Sequence, residues 1–471
     1  MKRSVGTSET CNQDESRRHL LLDDSIVEGT SNAELTLGIV KKHGVNPLFG
    51  EDRPWERRFD NLYANVIFDE EEQFYKVWYS PFIVDRSAKG MSTKQWQETK
   101  YQAPFDREMA ICYATSTDGL KWTKPELGFV EYEQSRTNNI LWRGSGDTRS
   151  KRAGPHGAGI FKDDLDPDPE RRYKALLKWE SLAVAFSRDG VHWDSPITCS
   201  AANSAGDTHN NAFWAPTLGK YVGITRQWSP SFQRQVARTS SDDFVTWQET
   251  KVVLEGLDER HQTYAMPVFF HGGVYIGLLA IHDQDSDRVW TELTWSPDTT
   301  TWHRVLPGTA FIPNGRSEGD YDWGCVFAAA CPIFLEDEIR IYYGGNDGLH
   351  TSWRNGYFCL ATLRPDGFAG YKQKDSNTHA IVTTTPLFCR DDVLLVSADV
   401  EMGGELVLRI LGDERQVLTE SEPLSSTVTN KEIRWRNPRV LTVKNPKPVQ
   451  LQFAFRRATI YSFRLISREE G

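Results

Sequence analysis

Four copies of one short pattern, Ser-x-Asp-x-x-x-Trp, constrain this chain more than any other feature. They stand at Ser116–Trp122, Ser187–Trp193, Ser241–Trp247 and Ser296–Trp302, about 55 to 70 residues apart. A degenerate fifth copy reads Arg364-Pro365-Asp366-Gly367-Phe368. Each follows a strand-like run, such as Met109–Thr115 or Leu182–Phe186. Asp and Gly stabilise a tight turn through side-chain hydrogen bonds and a left-handed residue. The Trp is then free to pack over the hairpin and seal it to its neighbour. A repeat of this period, many short strands and almost no helical periodicity predict a β-propeller of four-stranded blades.

Counting copies gives five blades. The expected architecture is all-β: a five-bladed β-propeller over residues 18–375, then a small C-terminal β-sandwich over 380–471. Residues 18–45 should supply an extra strand that closes the ring, and residues 1–17 a disordered tail. The C-terminal strands, Val393–Val400, Gly404–Ile410, Val449–Phe455 and Ala458–Leu465, lack the Asp/Trp turn. Ninety or so residues of that kind fit a sandwich that buttresses the propeller.

The rest of the composition mainly excludes. A net charge of −10 without a long basic run speaks against nucleic acid. The N-terminus carries no apolar segment behind Lys2 and Arg3, so no signal peptide or membrane span is expected and a cytoplasmic location follows. Seven scattered Cys show neither CxxC nor zinc spacing, so no metal or other cofactor is expected. The oligomeric state stays open.

Polar clusters precede the first strand of each blade, where a propeller exposes its axis. They are Trp55-Glu56-Arg57-Arg58-Phe59-Asp60-Asn61, Arg152–Gly157, Gly206-Asp207-Thr208-His209-Asn210-Asn211, His261–Tyr264 and Arg316-Ser317-Glu318-Gly319-Asp320-Tyr321-Asp322. Their coincidence in five repeats points to one shared pocket. Carboxylates facing each other across a funnel suit glycoside cleavage, which needs an acid for the leaving oxygen and a base or nucleophile opposite. The expected set is Glu56, Asp207 and Asp322, with acid and base not distinguished by spacing. Asp60, Glu318 and Asp320 are rivals. His156, His209, Asn210 and Arg316 suit hydrogen bonds to sugar hydroxyls, and Trp55, Tyr264 and Trp323 suit stacking on a sugar face.

Three segments carry a resemblance: Asp52-Arg53-Pro54-Trp55-Glu56, Asp207–Trp214 and Tyr342-Tyr343-Gly344-Gly345-Asn346-Asp347-Gly348. Through them the chain resembles the five-bladed propeller glycosidases of glycoside hydrolase families 32 and 43, and family-32-like bacterial proteins above all. The resemblance implies the propeller, the trailing sandwich and hydrolysis of a terminal sugar from a carbohydrate substrate. The Asn-Asp-Pro, Arg-Asp-Pro and Glu-Cys segments of family 32 have no counterpart at matching positions, so no catalytic residue is carried over. Two other readings stay open. One is a phosphorylase, with Arg152, His156 and Arg316 holding phosphate. The other is a propeller that binds carbohydrate without catalysis.

Overall fold

The computed structural model describes residues 18–85, 95, 98, 107–144, 155–388, 392–437 and 448–467. The expected tail over 1–17, and Arg152, lie outside them. The named elements are strands and four short 3-10 turns, so the all-β expectation holds. Among the described residues, no helix is long and apolar enough to cross a membrane.

The strands follow one another as antiparallel meanders. The first runs Asn65–Asp69, Phe74–Tyr79, Glu108–Ser116 and Ile140–Arg143, with Phe82–Val84 added to its third strand. The second runs His156–Lys162, Tyr173–Lys178, Leu182–Ser187 and Ile197–Thr198. The third runs Asn211–Ala215, Lys220–Trp228, Arg234–Ser241 and Lys251–Leu254. An eleven-stranded sheet then holds two more, one from Val268–His271 to His303–Arg304 and one from Cys325–Ala328 to Gly356–Leu363. A single parallel pair, Val289 with Cys325, joins them.

The leading strands of successive meanders lie side by side. Asn65–Asp69 neighbours His156–Lys162, which neighbours Asn211–Ala215, which neighbours Val268–His271. Asn65 also bridges to Ala330, just past Cys325–Ala328. Asparagines stitch these strands together. Asn65 accepts from the Ile160 N–H at 3.0 Å and donates to the Ala158 carbonyl at 2.7 Å, and Asn211 accepts from the Val268 N–H at 2.9 Å. The approach is tight enough to require glycine. A Cβ on Gly157 would lie 1.7 Å from the Thr208 carbonyl oxygen, and one on Gly159 would lie 1.8 Å from that of Asn210.

The repeat turns match their expected physics. The Ser187 Oγ accepts from the Gly190 N–H at 2.9 Å, and Asp189 Oδ1 accepts from Val191 and His192 N–H at 2.8 Å each. Asp118, Asp243 and Asp298 make the same pair of bonds. The residue after each Asp has positive φ, and it is Gly in only two copies; Phe244 and Thr299 take the others. Each Trp packs against the preceding meander. Trp193 joins an apolar cluster that holds Ile111 and Tyr113, Trp247 one that holds Leu176 and Val184, and Trp302 one that holds Phe213 and Val236. Trp122 of the first meander stacks edge-on against Tyr342 and Phe358 of the last.

The fifth copy is different in kind. Asp366 is buried and accepts from Arg18 at 2.5 Å, His271 at 3.0 Å and Ser462 at 2.8 Å. It ties together an N-terminal strand, the fourth meander and the C-terminal region. The remaining strands form a nine-stranded sheet with its own apolar core. Its centre is the pair Asp392–Leu411 and Gln450–Ser467, bent by register shifts at Ser397/Ala398 and Val400/Glu405. Arg18–Leu20, Val27–Ser31 and Ala33–Leu37 pair into this sheet, whereas Lys41–Lys42 and Phe49–Gly50 pair onto Gly356–Leu363. The N-terminal segment therefore serves both sheets.

Candidate active site

The expected carboxylates fall into separate networks. The Glu56 side chain is fully buried: Tyr79 donates to it at 2.7 Å, Lys124 pairs with it at 2.7 Å, and the Asp52 and Arg53 N–H groups cap it. Burial pushes its pKa up against the pull of Lys124. Asp322 is fully buried as well, paired with Lys42 at 2.6 Å and accepting from the Tyr343 hydroxyl at 2.8 Å. Asp207 alone of the three remains 44% exposed, beside Lys178 at 2.9 Å, His156 at 3.5 Å and Arg226 at 3.9 Å. The partners of the three, as described, are all different.

The other expected residues divide in the same way. Trp55 donates to Asn139 at 2.7 Å within the first meander's packing. Asn210 is consumed by the backbone, donating to Gly157, Gly206 and Thr208 carbonyls while accepting from Thr225. Arg316 and Glu318 are exposed on the loop before Asp322, and Asp320 caps the Ser317 N–H at 2.9 Å. Asp60, His156, His209 and Tyr264 converge with Asp207.

Their meeting point is a pair of tyrosines. Tyr63 packs against the His156 and His209 rings at 5.5 and 5.2 Å. Asn61 donates to both the Tyr63 hydroxyl at 2.8 Å and the Tyr264 hydroxyl at 3.2 Å. Arg354 links Asn61 at 2.9 Å to Asp60 at 3.1 Å, and Arg58 also pairs with Asp60. Tyr264 carries the guanidinium groups of Arg226 and Arg234 over its ring at 4.7 and 5.0 Å. His350 reaches the Tyr264 hydroxyl at 2.9 Å and lies 4.2 Å from the His282 ring.

Charge in this cluster is fixed. Burial raises the pKa of Asp60, but Arg58 and Arg354 outweigh it and hold the carboxyl well below the usual range. At Asp207 burial is likewise outweighed, by the His156 ring and by the Lys178 and Arg226 cations, and the carboxyl lies well below the usual range. Burial brings His156 down to about 4 and His209 to about 3, so both rings are neutral at pH 7. Glu51 behaves in the opposite sense. Burial raises it to about 8 despite N–H bonds from Phe59 at 2.6 Å and Gly356 at 3.1 Å. It lies close to Asn346, whose amide donates to the Asp60 carbonyl at 2.9 Å.

Glu51, Lys178, Arg226, Arg234, His282, Asp287, His350 and Arg354 are absent from the sequence-derived set. Several come from the ends of second and third strands, or from the loop after Asn346, rather than from the segment before a first strand. The run His282-Asp283-Gln284-Asp285-Ser286-Asp287 was a visible signal in a hairpin between two strongly apolar strands.

No protein-family model matches the chain, and no curated protein matches it in sequence. Solved structures similar to it include an N-acetylgalactosamine deacetylase from F. plautii in complex with blood group B trisaccharide. That match has 14% identity and a TM-score of 0.48, covering 72% of this chain and 97% of that one. A glycosyl hydrolase from Bacteroides ovatus matches at 16% identity and a TM-score of 0.48, covering 70% and 95%. A β-1,2-mannobiose phosphorylase from Listeria innocua matches at 13% identity and a TM-score of 0.47, covering 69% and 96%.

Proposed function

We propose that the meanders are the blades of a five-bladed β-propeller, backed by a C-terminal β-sandwich, and that the axial cluster cleaves a glycosidic bond to release a terminal sugar. The observation that carries this reading is the convergence of Asp60, His156, Asp207, Tyr264 and His350, from five parts of the chain, around Tyr63 and Tyr264. The ring-like succession of leading strands and the Trp122 contact with the last meander support the propeller.

In this reading Asp207 is the working carboxylate. It is ionised and partly open, and Lys178 and Arg226 fix its direction. It acts as the base or nucleophile opposite the leaving group. Asp60, held by two arginines, orients sugar hydroxyls. Two ionised carboxylates supply no proton, so the leaving oxygen needs another donor. Glu51 stays protonated near neutral pH and is the group we assign to that step. Glu56 and Asp322 hold loops in place through Lys124 and Lys42.

A screen of aryl glycosides and oligosaccharides tests the proposal, with wild type beside Asp207→Asn, Glu51→Gln, Glu56→Gln and Asp322→Asn. Sugar release lost in folded Asp207→Asn and Glu51→Gln, and kept in the other two, supports it. Release lost only in Glu56→Gln and Asp322→Asn moves the site to those residues. A wild type that binds a glycan and releases nothing leaves a binding propeller.

One observation favours phosphorolysis as a second reading. Arg226 and Arg234 sit together over Tyr264 and Trp228, and the Nε of each is buried without a hydrogen-bond partner. Paired guanidiniums of that kind suit a phosphate. Turnover that requires inorganic phosphate would select this reading over hydrolysis.

A further inference from the structure

The hairpin after Ile281 and the loop after Asn346 bring His282, Asp287 and His350 together, with one ligand atom of each within 4.8 Å of the others. Asp287 Oδ1 stands 2.9 Å from His282 Nε2 and 3.9 Å from His350 Nδ1. A hydrogen bond accounts for the first contact. It does not account for the second, which is too long. The His350 Nδ1 atom is buried and has no hydrogen-bond partner. Two ligand atoms on one tetrahedral zinc lie about 3.4 Å apart, given bonds near 2.1 Å. The two distances bracket that value.

Each of the three side chains is also held from behind. Asp287 Oδ2 accepts from the Thr351 N–H at 2.8 Å and its hydroxyl at 2.5 Å, which leaves Oδ1 pointing at the imidazoles. His282 Nδ1 is bonded to Gln284 at 2.8 Å, and His350 Nε2 to Tyr264 at 2.9 Å. Outer partners of this kind orient metal ligands and fix imidazole tautomers. The side chains of His350 and Asp287 keep 12% and 19% of their exposure, against 3% for His282, so one side of the cluster is open to an incoming ligand.

We propose that His282, Asp287 and His350 form a divalent-cation site in the axial cluster, suited to a borderline ion such as Zn²⁺ and open to water or a substrate oxygen at a fourth position. Two imidazoles and one carboxylate select such an ion over Ca²⁺ or Mg²⁺, which take all-oxygen sets. Arg354, which donates to the His350 carbonyl at 2.5 Å, opposes any cation here. That repulsion favours an ion held by strong imidazole bonds over a loosely hydrated one. Binding moves the His282 ring proton from Nε2 to Nδ1, with the Gln284 amide turned to accept it, and releases no proton.

The proposal is independent of the reaction assigned above, because the ion is read without substrate. Full-length protein is stripped with chelator, re-equilibrated with ZnCl₂ and gel-filtered, and its zinc is measured per chain. Titration calorimetry and thermal melting follow. The expected result is one zinc per chain, a melting temperature raised by zinc, and affinity at least about tenfold weaker in Asp287→Asn and His350→Asn. Should those variants fail to fold, Thr351→Val removes only the hydroxyl behind Asp287 and is expected to weaken binding by about tenfold. No stoichiometric zinc on the wild type overturns the proposal. So does stoichiometric zinc that none of the folded variants weakens.

Discussion

The repeated turns and the polar cluster around Tyr63 and Tyr264 are built by opposite rules. The four turns are near-copies: in each the Ser hydroxyl donates to the Asp carboxylate, and in three the Trp donates to a carbonyl of the turn, within seven residues of chain. The polar cluster repeats nothing. Its contacts join residues far apart in sequence, such as Asn61 with Tyr264 or Arg354 with Asp60, to close neighbours such as Asn61 and Tyr63. The turns carry architecture through repetition, whereas the polar cluster is assembled from single, unlike contributions.

Substitutions should therefore split sharply between the two regions. The largest effect is expected from Asp207→Asn. Loss of a positioned acid–base or nucleophilic carboxylate should lower turnover of any cleaved glycoside by about 10²–10⁴-fold, with little change in melting temperature because the side chain is 44% exposed. Steady-state rates and a thermal melt on the same sample check both halves. Equal losses of rate and stability would erase the distinction drawn here.

Next in size is Glu56→Gln. Lys124, only 4% exposed, keeps its pairing with Asp52 at 2.7 Å, so the loss of the charged partner should cost roughly 1–3 kcal/mol in urea unfolding while the folded fraction keeps its activity. A turn variant, Asp298→Ala, should cost less. It frees the Thr300 and Thr301 N–H groups, which the turn leaves to solvent, for a loss of about 1 kcal/mol and no change in rate.

The smallest effect is a matter of pH. Burial acts to raise Asp243, but N–H bonds from Thr246 and Val245 overcome it and lower the carboxyl from 3.8 to about 2. A carboxyl depressed in the folded state stabilises above its unfolded pKa and stops doing so as pH falls through the folded one. Melting temperature should thus drop between about pH 4 and pH 2, and Asp243→Asn should make that drop shallower. An unchanged slope would mean that the turn bonds do not survive in solution.

The same contrast explains what the sequence disclosed. The turn motif is local, so the turns, the strand that precedes each and the Trp that seals each were all readable in the linear order. The segments before the first strands hold Asp60, His156, Asp207, His209 and Tyr264, which the fold gathers because strand starts share one end of a meander. The reading stopped there because the strand ends and loops that supply the rest of the cluster carry no periodic mark. Arg226 and Arg234 look like ordinary alternation in two long strands, and His350 sits in a loop of no particular composition. Glu56 and Asp322 stand apart from Asp207 for a physical reason. A carboxylate beside an aromatic at a strand start can equally well anchor a lysine, and only three dimensions reveal Lys124 and Lys42. Asp366 looked like a worn copy of the turn and is instead a buried junction.

The N-terminal strands impose an order of events on the living chain. Arg18–Leu20, Val27–Ser31, Ala33–Leu37, Lys41–Lys42 and Phe49–Gly50 pair with segments that begin no earlier than Gly356. At about 5–20 residues per second, a ribosome needs roughly 15–60 s to make the intervening 300 or so residues. For that interval the first strands of the protein exist with exposed edges and no mates, while the meanders between them already have all they need to form. These strands can therefore take their places only after the meanders between them have been made.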